Sequence, residues 1–85
     1  MIEILEAERK ILSCLLHAEL ISSVISETGI PAKVARDIIR NLWHYRFIKA
    51  VDANGKELLL VDADQLHKAR FTMTAKGLKA WQEKN

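Results

Sequence analysis

The sequence predicts a small α+β domain, and three observations carry that prediction. Apolar residues in the first half recur at helical spacing. An Asn54–Gly55 pair, the strongest two-residue hairpin signal, then stands between two short apolar runs. After a third β-type run, Thr74 supplies a helix start ahead of a closing helical stretch. The 85 residues suit one domain spanning 1–85. Hydrophobic residues make up 49% and charged residues 28%, which suits one folded core and excludes intrinsic disorder. A core this small is marginal alone, which favours a homodimer.

The first helix is expected over 2–18. Ile4, Leu5, Ile11, Leu12, Leu15 and Leu16 form its apolar stripe, with Glu3, Glu6, Arg9, Lys10 and Ser13 opposite. A short helix over 22–28 can take a serine as its N-cap, and Gly29 stops it by adopting positive φ. Pro31 opens the third helix, expected over 31–45, because its fixed φ suits a first turn. Val34, Ala35, Ile38, Ile39, Leu42 and Tyr45 are its expected buried face, and Lys33, Arg36, Asp37 and Arg40 project from the other side.

Phe47, Ile48 and Val51 begin a strand, residues 58–61 a second, and 69–73 a third, with a loop expected over 62–68. Alternation places Phe71 and Met73 on one face of the last strand and Arg70 and Thr72 on the other. Thr74 caps the final helix, from which Leu78 and Trp81 point inward.

The net charge of +2 conceals alternating blocks. Residues 1–30 are acidic (Glu3, Glu6, Glu8, Glu19 and Glu27 against Arg9 and Lys10), and 31–50 are basic (Lys33, Arg36, Arg40, Arg46 and Lys49 against Asp37). Asp52, Glu57, Asp62 and Asp64 then face Lys56 alone, before Lys68, Arg70, Lys76, Lys79 and Lys84 face Glu83. A fold that brings the basic blocks together presents a surface attractive to polyanions.

Several function classes are disfavoured. Cys14, the single cysteine, excludes an internal disulfide and cysteine-based zinc patterns, and its place on an apolar helix face suits a buried structural thiol. His17, His44 and His67 are too scattered for a metal set, and Asp62-x-Asp64 and Asp52-Ala-Asn54-Gly55 read as turns. The sequence has no nucleophile elbow, P-loop, HExxH or glycine-rich dinucleotide loop, so neither catalysis nor a cofactor is expected. No apolar run reaches the roughly 20 residues of a membrane helix and no signal peptide is apparent, which predicts a cytoplasmic protein without membrane contact.

Helix, glycine turn, basic helix, hairpin and closing helix, in that order, read as a small winged helix-turn-helix: a three-helix core with a β-hairpin wing and a C-terminal helix. That scaffold lays one helix in the major groove of DNA. LISSVISETGI at 20–30 resembles the second helix and turn of MarR-type transcriptional regulators. PAKVARDIIRNLWHYRFI at 31–48 resembles their recognition helix and the approach to the wing. RFTMTAKGL at 70–78 resembles their Leu-Thr-x-x-Gly start to the post-wing helix, with Met73 in the Leu position and Gly77 matching the Gly. The resemblance spans most of residues 20–80 and implies sequence-specific binding of double-stranded DNA by a transcriptional regulator. The chain departs from the family at Arg46, where a glycine usually precedes the wing strand. It departs again in its acidic 51–66 segment, where family wings are basic, and in lacking most of the long terminal dimerising helices.

On this reading Ala32 and Lys33 sit at the helix end that reaches base edges, Arg36 or Lys33 bonds guanine O6 and N7, and Arg40 meets a phosphate. Asp37 either accepts from a cytosine amino group or pairs with Arg40 or Lys33. Lys68, Arg70 and Lys76 hold the backbone. Two wing tips are open. A tip at Asn54–Gly55 brings Asp52 and Glu57 near phosphates, and a tip at 65–70 offers His67, Lys68 and Arg70 instead. Trp43 falls off the core stripe, and either forms a contact surface or lies across the sheet. The acidic hairpin and Trp43 favour a rival function, a winged-helix protein–protein interaction module of subunit or anti-repressor type.

Overall fold

The computed structural model describes residues 5–83, so the expected helix start at residue 2 lies outside the described residues. In chain order come α1 (Glu6–Cys14), β1 (Glu19–Leu20), α2 (Ile21–Thr28), α3 (Ala32–His44), β2 (Ile48–Val51) and β3 (Glu57–Leu58). A 3-10 helix (Ala63–Lys68), β4 (Arg70–Met73) and α4 (Ala75–Gln82) complete the chain. The fold is α+β, with a small antiparallel sheet in the order β1-β4-β2-β3.

Helix α1 buries Ile11 and Leu12 but ends at Cys14, short of the expected residue 18. The Leu15 carbonyl accepts from the Met73 N–H at 2.7 Å and from the Thr72 hydroxyl at 3.2 Å, so β4 captures the backbone where another turn would have formed. Leu16, expected in the apolar stripe, is exposed beyond that point. The two-residue β1 pairs with β4 (Glu19 opposite Phe71, Leu20 opposite Arg70) and runs directly into α2. Leu20 therefore occupies the N-cap without a side-chain bond, and the expected serine cap is not used. Gly29 ends α2 at φ 72°, as expected.

Helix α3 presents Ala35, Ile39 and Leu42 to the core. Its expected buried face was too wide: Val34 is 45% and Tyr45 43% exposed. Both sit at the margin of the stripe, roughly 90–100° from its centre at about 100° per residue. The helix closes with paired bonds from Arg46 N–H to the Trp43 carbonyl and from Phe47 N–H to the Leu42 carbonyl, each at 2.9 Å. This is a Schellman stop, and it places the residue after the cap in the left-handed region. That residue is Arg46, at φ 65°.

Strand β2 pairs with β4 (Ala50 opposite Phe71) and with β3 (Ala50 opposite Leu58). The hairpin tip is at Asn54–Gly55: Gly55 adopts φ 83°, and the Asp52 carboxylate accepts from the Asn54 and Lys56 N–H groups at 2.8 and 2.9 Å. The second strand, expected over 58–61, covers Glu57–Leu58 only. Four consecutive apolar residues lack the alternation that registers a strand with one wet face, and past Leu58 the chain parts from β2. The expected loop over 62–68 is largely the 3-10 helix, whose Leu66 is buried, and Ala69 is buried after it. Around these two anchors Gln65, His67, Lys68 and Arg70 stay exposed, and the segment is a short helix leading into β4 and not a hairpin turn.

Thr74 caps α4, accepting from the Gly77 N–H at 3.0 Å. Its own N–H donates to the Phe47 carbonyl at 3.0 Å and its hydroxyl to the Arg46 carbonyl at 2.7 Å. Trp81 packs against the core as expected, whereas Leu78 stays 37% exposed. The Arg9 guanidinium binds the far end of α4 through the Trp81 and Glu83 carbonyls at 2.7 and 2.6 Å. A Cβ on Gly77 would lie 1.9 Å from the Phe47 carbonyl oxygen. Backbone blocks that position, so Gly77→Ala must push α4 off the α3–β2 corner. The expected loss is about 2–3 kcal/mol, measured by urea denaturation, and a variant within 0.5 kcal/mol of the parent contradicts the packing described (roughly the scatter of surface substitutions).

Candidate nucleic-acid interface

Every side chain singled out on the third helix is exposed: Ala32, Lys33, Arg36, Asp37 and Arg40. With Ala35, Ile39 and Leu42 inward, helical rotation puts Lys33, Asp37, Arg40 and His44 on the pole opposite the core. Arg36 stands on the flank, where it lines a hollow with Arg40, Asp64 and His67 between α2 and the 3-10 helix. The fold therefore brings His67, from a distant part of the sequence, beside two of the α3 arginines.

The remaining cations are dispersed. Lys68 shares a separate hollow with Asp52 beside the hairpin. Arg70 is exposed on the strand, opposite in pleat to buried Phe71. Lys76 is already engaged, for its ammonium donates to the Tyr45 carbonyl at 2.9 Å and lies 5.2 Å from the centre of the Phe47 ring. A cation there neutralises the negative end of α3. Lys68 and Arg70 are exposed, and only Lys76 of the three is tied to another group. The hairpin tip is acidic, and the Asp52 carboxylate is occupied by its own turn.

Trp43 lies across the sheet, its ring edge-on to Phe71 at 5.7 Å and 75°. This contact joins Ala35, Ile39 and Leu42 in seating α3 on the core. His44 was missed among the candidate residues, although its spacing four residues after Arg40 places it on the same pole. Arg40, Trp43, His44 and Arg46 also form one side of a cleft whose other side is the 57–61 segment. There Leu59 and Leu60 stand 80% and 90% exposed. Nothing in the sequence marked Leu59 and Leu60 as solvent-facing, since a leucine run reads as core.

Cys14 is half-buried, and burial together with the neighbouring Glu27 carboxylate pushes its thiol up from the ordinary value. It therefore stays protonated at neutral pH and is a poor nucleophile. Among the described residues, no three His, Cys, Asp or Glu side chains are grouped so as to hold a metal ion. No described helix is long and apolar enough to cross a membrane.

Arg46 occupies a conformation that costs an L-residue about 1–2 kcal/mol, while glycine adopts it freely but loses more chain entropy on folding. Arg46→Gly is expected to raise stability by about 0.5–1 kcal/mol in urea denaturation. A fall in the midpoint would show that the arginine side chain makes compensating contacts. Comparison of the chain with protein-family models, with curated proteins and with solved structures returned no match.

Proposed function

We propose that this chain is a winged helix-turn-helix domain, similar to MarR-type regulators, that binds double-stranded DNA and regulates transcription. In this reading α2, the Gly29 turn and α3 are the helix-turn-helix, and α3 lies in the major groove. One observation carries the proposal. The core takes only one side of α3, and the opposite pole, with Lys33 and Arg40, stands uncovered beside a flanking Arg36. On this reading Lys33 and Arg36, in the N-terminal half of the helix, meet base edges, and Arg40 meets a phosphate. Asp37, on the same pole, either accepts from a cytosine amino group or pairs with Arg40 or Lys33.

In this reading α3 is the main electrostatic contact, with His67 at its flank. The exposed Lys68 and Arg70 hold the backbone, while Lys76 is already engaged at the end of α3. The β2–β3 hairpin would be the wing, and its acidic tip keeps it from gripping phosphates. Two copies reading symmetric half-sites would double the number of cations on the duplex. A homodimer of this kind spaces its half-sites about 34–36 Å apart.

The test is binding of labelled random and selected duplexes across a salt series. With roughly four to six phosphates neutralised per dimer, log affinity should fall against log salt with a slope of about −4 to −5. Arg36→Ala should cost about 1–3 kcal/mol on the selected duplex and relax preference at one base position. Absence of a mobility shift at low salt, or a flat salt response, rejects the proposal.

A further inference from the structure

We infer that the cleft between the end of α3 and the 57–61 segment is a docking site for an acidic, amphipathic segment of a second protein. Its volume is about 600 Å³, room for a few side chains rather than a whole domain. The two walls differ in chemistry. Arg40, His44 and Arg46 make the α3 wall basic, while Leu59 and Leu60 make the facing wall apolar. Trp43 lines the α3 side of the cleft, and its ring packs in a T-shape against Phe71.

Charge and apolarity together select the occupant. Adjacent leucines at 80% and 90% exposure mark a surface that gains by being covered. A DNA duplex meets proteins mainly through its charged phosphates, and Glu57, at the root of the same wall, repels them. A segment carrying two or three apolar side chains flanked by carboxylates meets both walls at once. Its apolar groups cover Leu59, Leu60 and the Trp43 ring, and its carboxylates pair with Arg40 and Arg46.

Arg40 belongs to this wall and to the outer pole of α3 alike. An occupant of the cleft therefore competes with a duplex for the same guanidinium, which is the logic of an anti-repressor. The docking site stands without the DNA reading, and only the competition rests on it.

Selection from a displayed random-peptide library on the full chain, with the Leu59→Ser/Leu60→Ser double variant as counter-target, tests the site in the absence of DNA. Both leucines are solvent-exposed, so the double variant should keep the parent's melting temperature and circular dichroism. Enriched peptides are expected to combine apolar residues with Asp or Glu. The double variant and Arg40→Gln should each weaken them by at least about tenfold. Enrichment that is equal on the double variant, or peptides without acidic residues, overturns the inference. So does sedimentation showing parent dimers that the double variant abolishes, because a second copy then occupies the cleft. Loss of peptide selectivity with DNA binding intact removes only this site, and loss of DNA binding with peptide selectivity intact removes only the duplex reading.

Discussion

The geometry of this domain depends on one close approach, the first turn of α4 pressed against the carbonyl of Phe47. Thr74 and Lys76 donate to the carbonyls of Tyr45, Arg46 and Phe47, three successive acceptors past the end of α3. A helix end leaves such groups without intrahelical partners, and water or a side chain must satisfy them. Here a second helix does so, and it reaches them only because Gly77 has no side chain. The same corner holds Arg46 in its left-handed conformation and aims β2 into the sheet. Trp43, one turn back, packs on Phe71, and Ala35, Ile39 and Leu42 face the core on the same helix. The direction in which Lys33, Arg40 and His44 point is thus a consequence of backbone packing on the far side of the helix.

A net charge of +2 is too small to define a partner by itself, but its placement separates two kinds of surface. The outer pole of α3 is polar and predominantly basic, with Asp37 as its one carboxylate. Beside it, the chain between β2 and β4 carries the acidic residues and the exposed leucines. Arg40 sits where the two meet. Long-range attraction toward a polyanion and short-range burial of apolar groups therefore act on neighbouring but chemically distinct faces.

Elements fixed by a single strong local preference were legible in the sequence. Gly29 and Gly55 both adopt the positive φ that their turns require, and Thr74 forms the cap that its position announced. The inward set of Ala35, Ile39 and Leu42 followed from helical spacing. Errors arose where the outcome depends on what happens to cover a residue. Val34 and Tyr45 are apolar at the margin of a stripe that its neighbours only partly cover, and Leu16 lies past a helix end set by β4. The run at 58–61 carries no period, so its departure from the sheet had no local signal. For the candidate site, exposure of Lys33, Arg36 and Arg40 was readable from spacing. The engagement of Lys76 was not, because it depends on how the first turn of α4 packs against the end of α3. Arg46 carried no local signal of its left-handed backbone, which is one that glycine would suit better.

On the proposed function the uncovered pole of α3 is the surface that meets DNA. Amide chemical-shift mapping on the isotope-labelled full chain, during titration with a duplex, tests that placement most directly. The largest shifts are then expected on residues 32–44, strongest around Lys33, Arg36 and Arg40, fading as salt is raised. Shifts confined to the 52–61 segment, or a spectrum unmoved by the duplex, would contradict it.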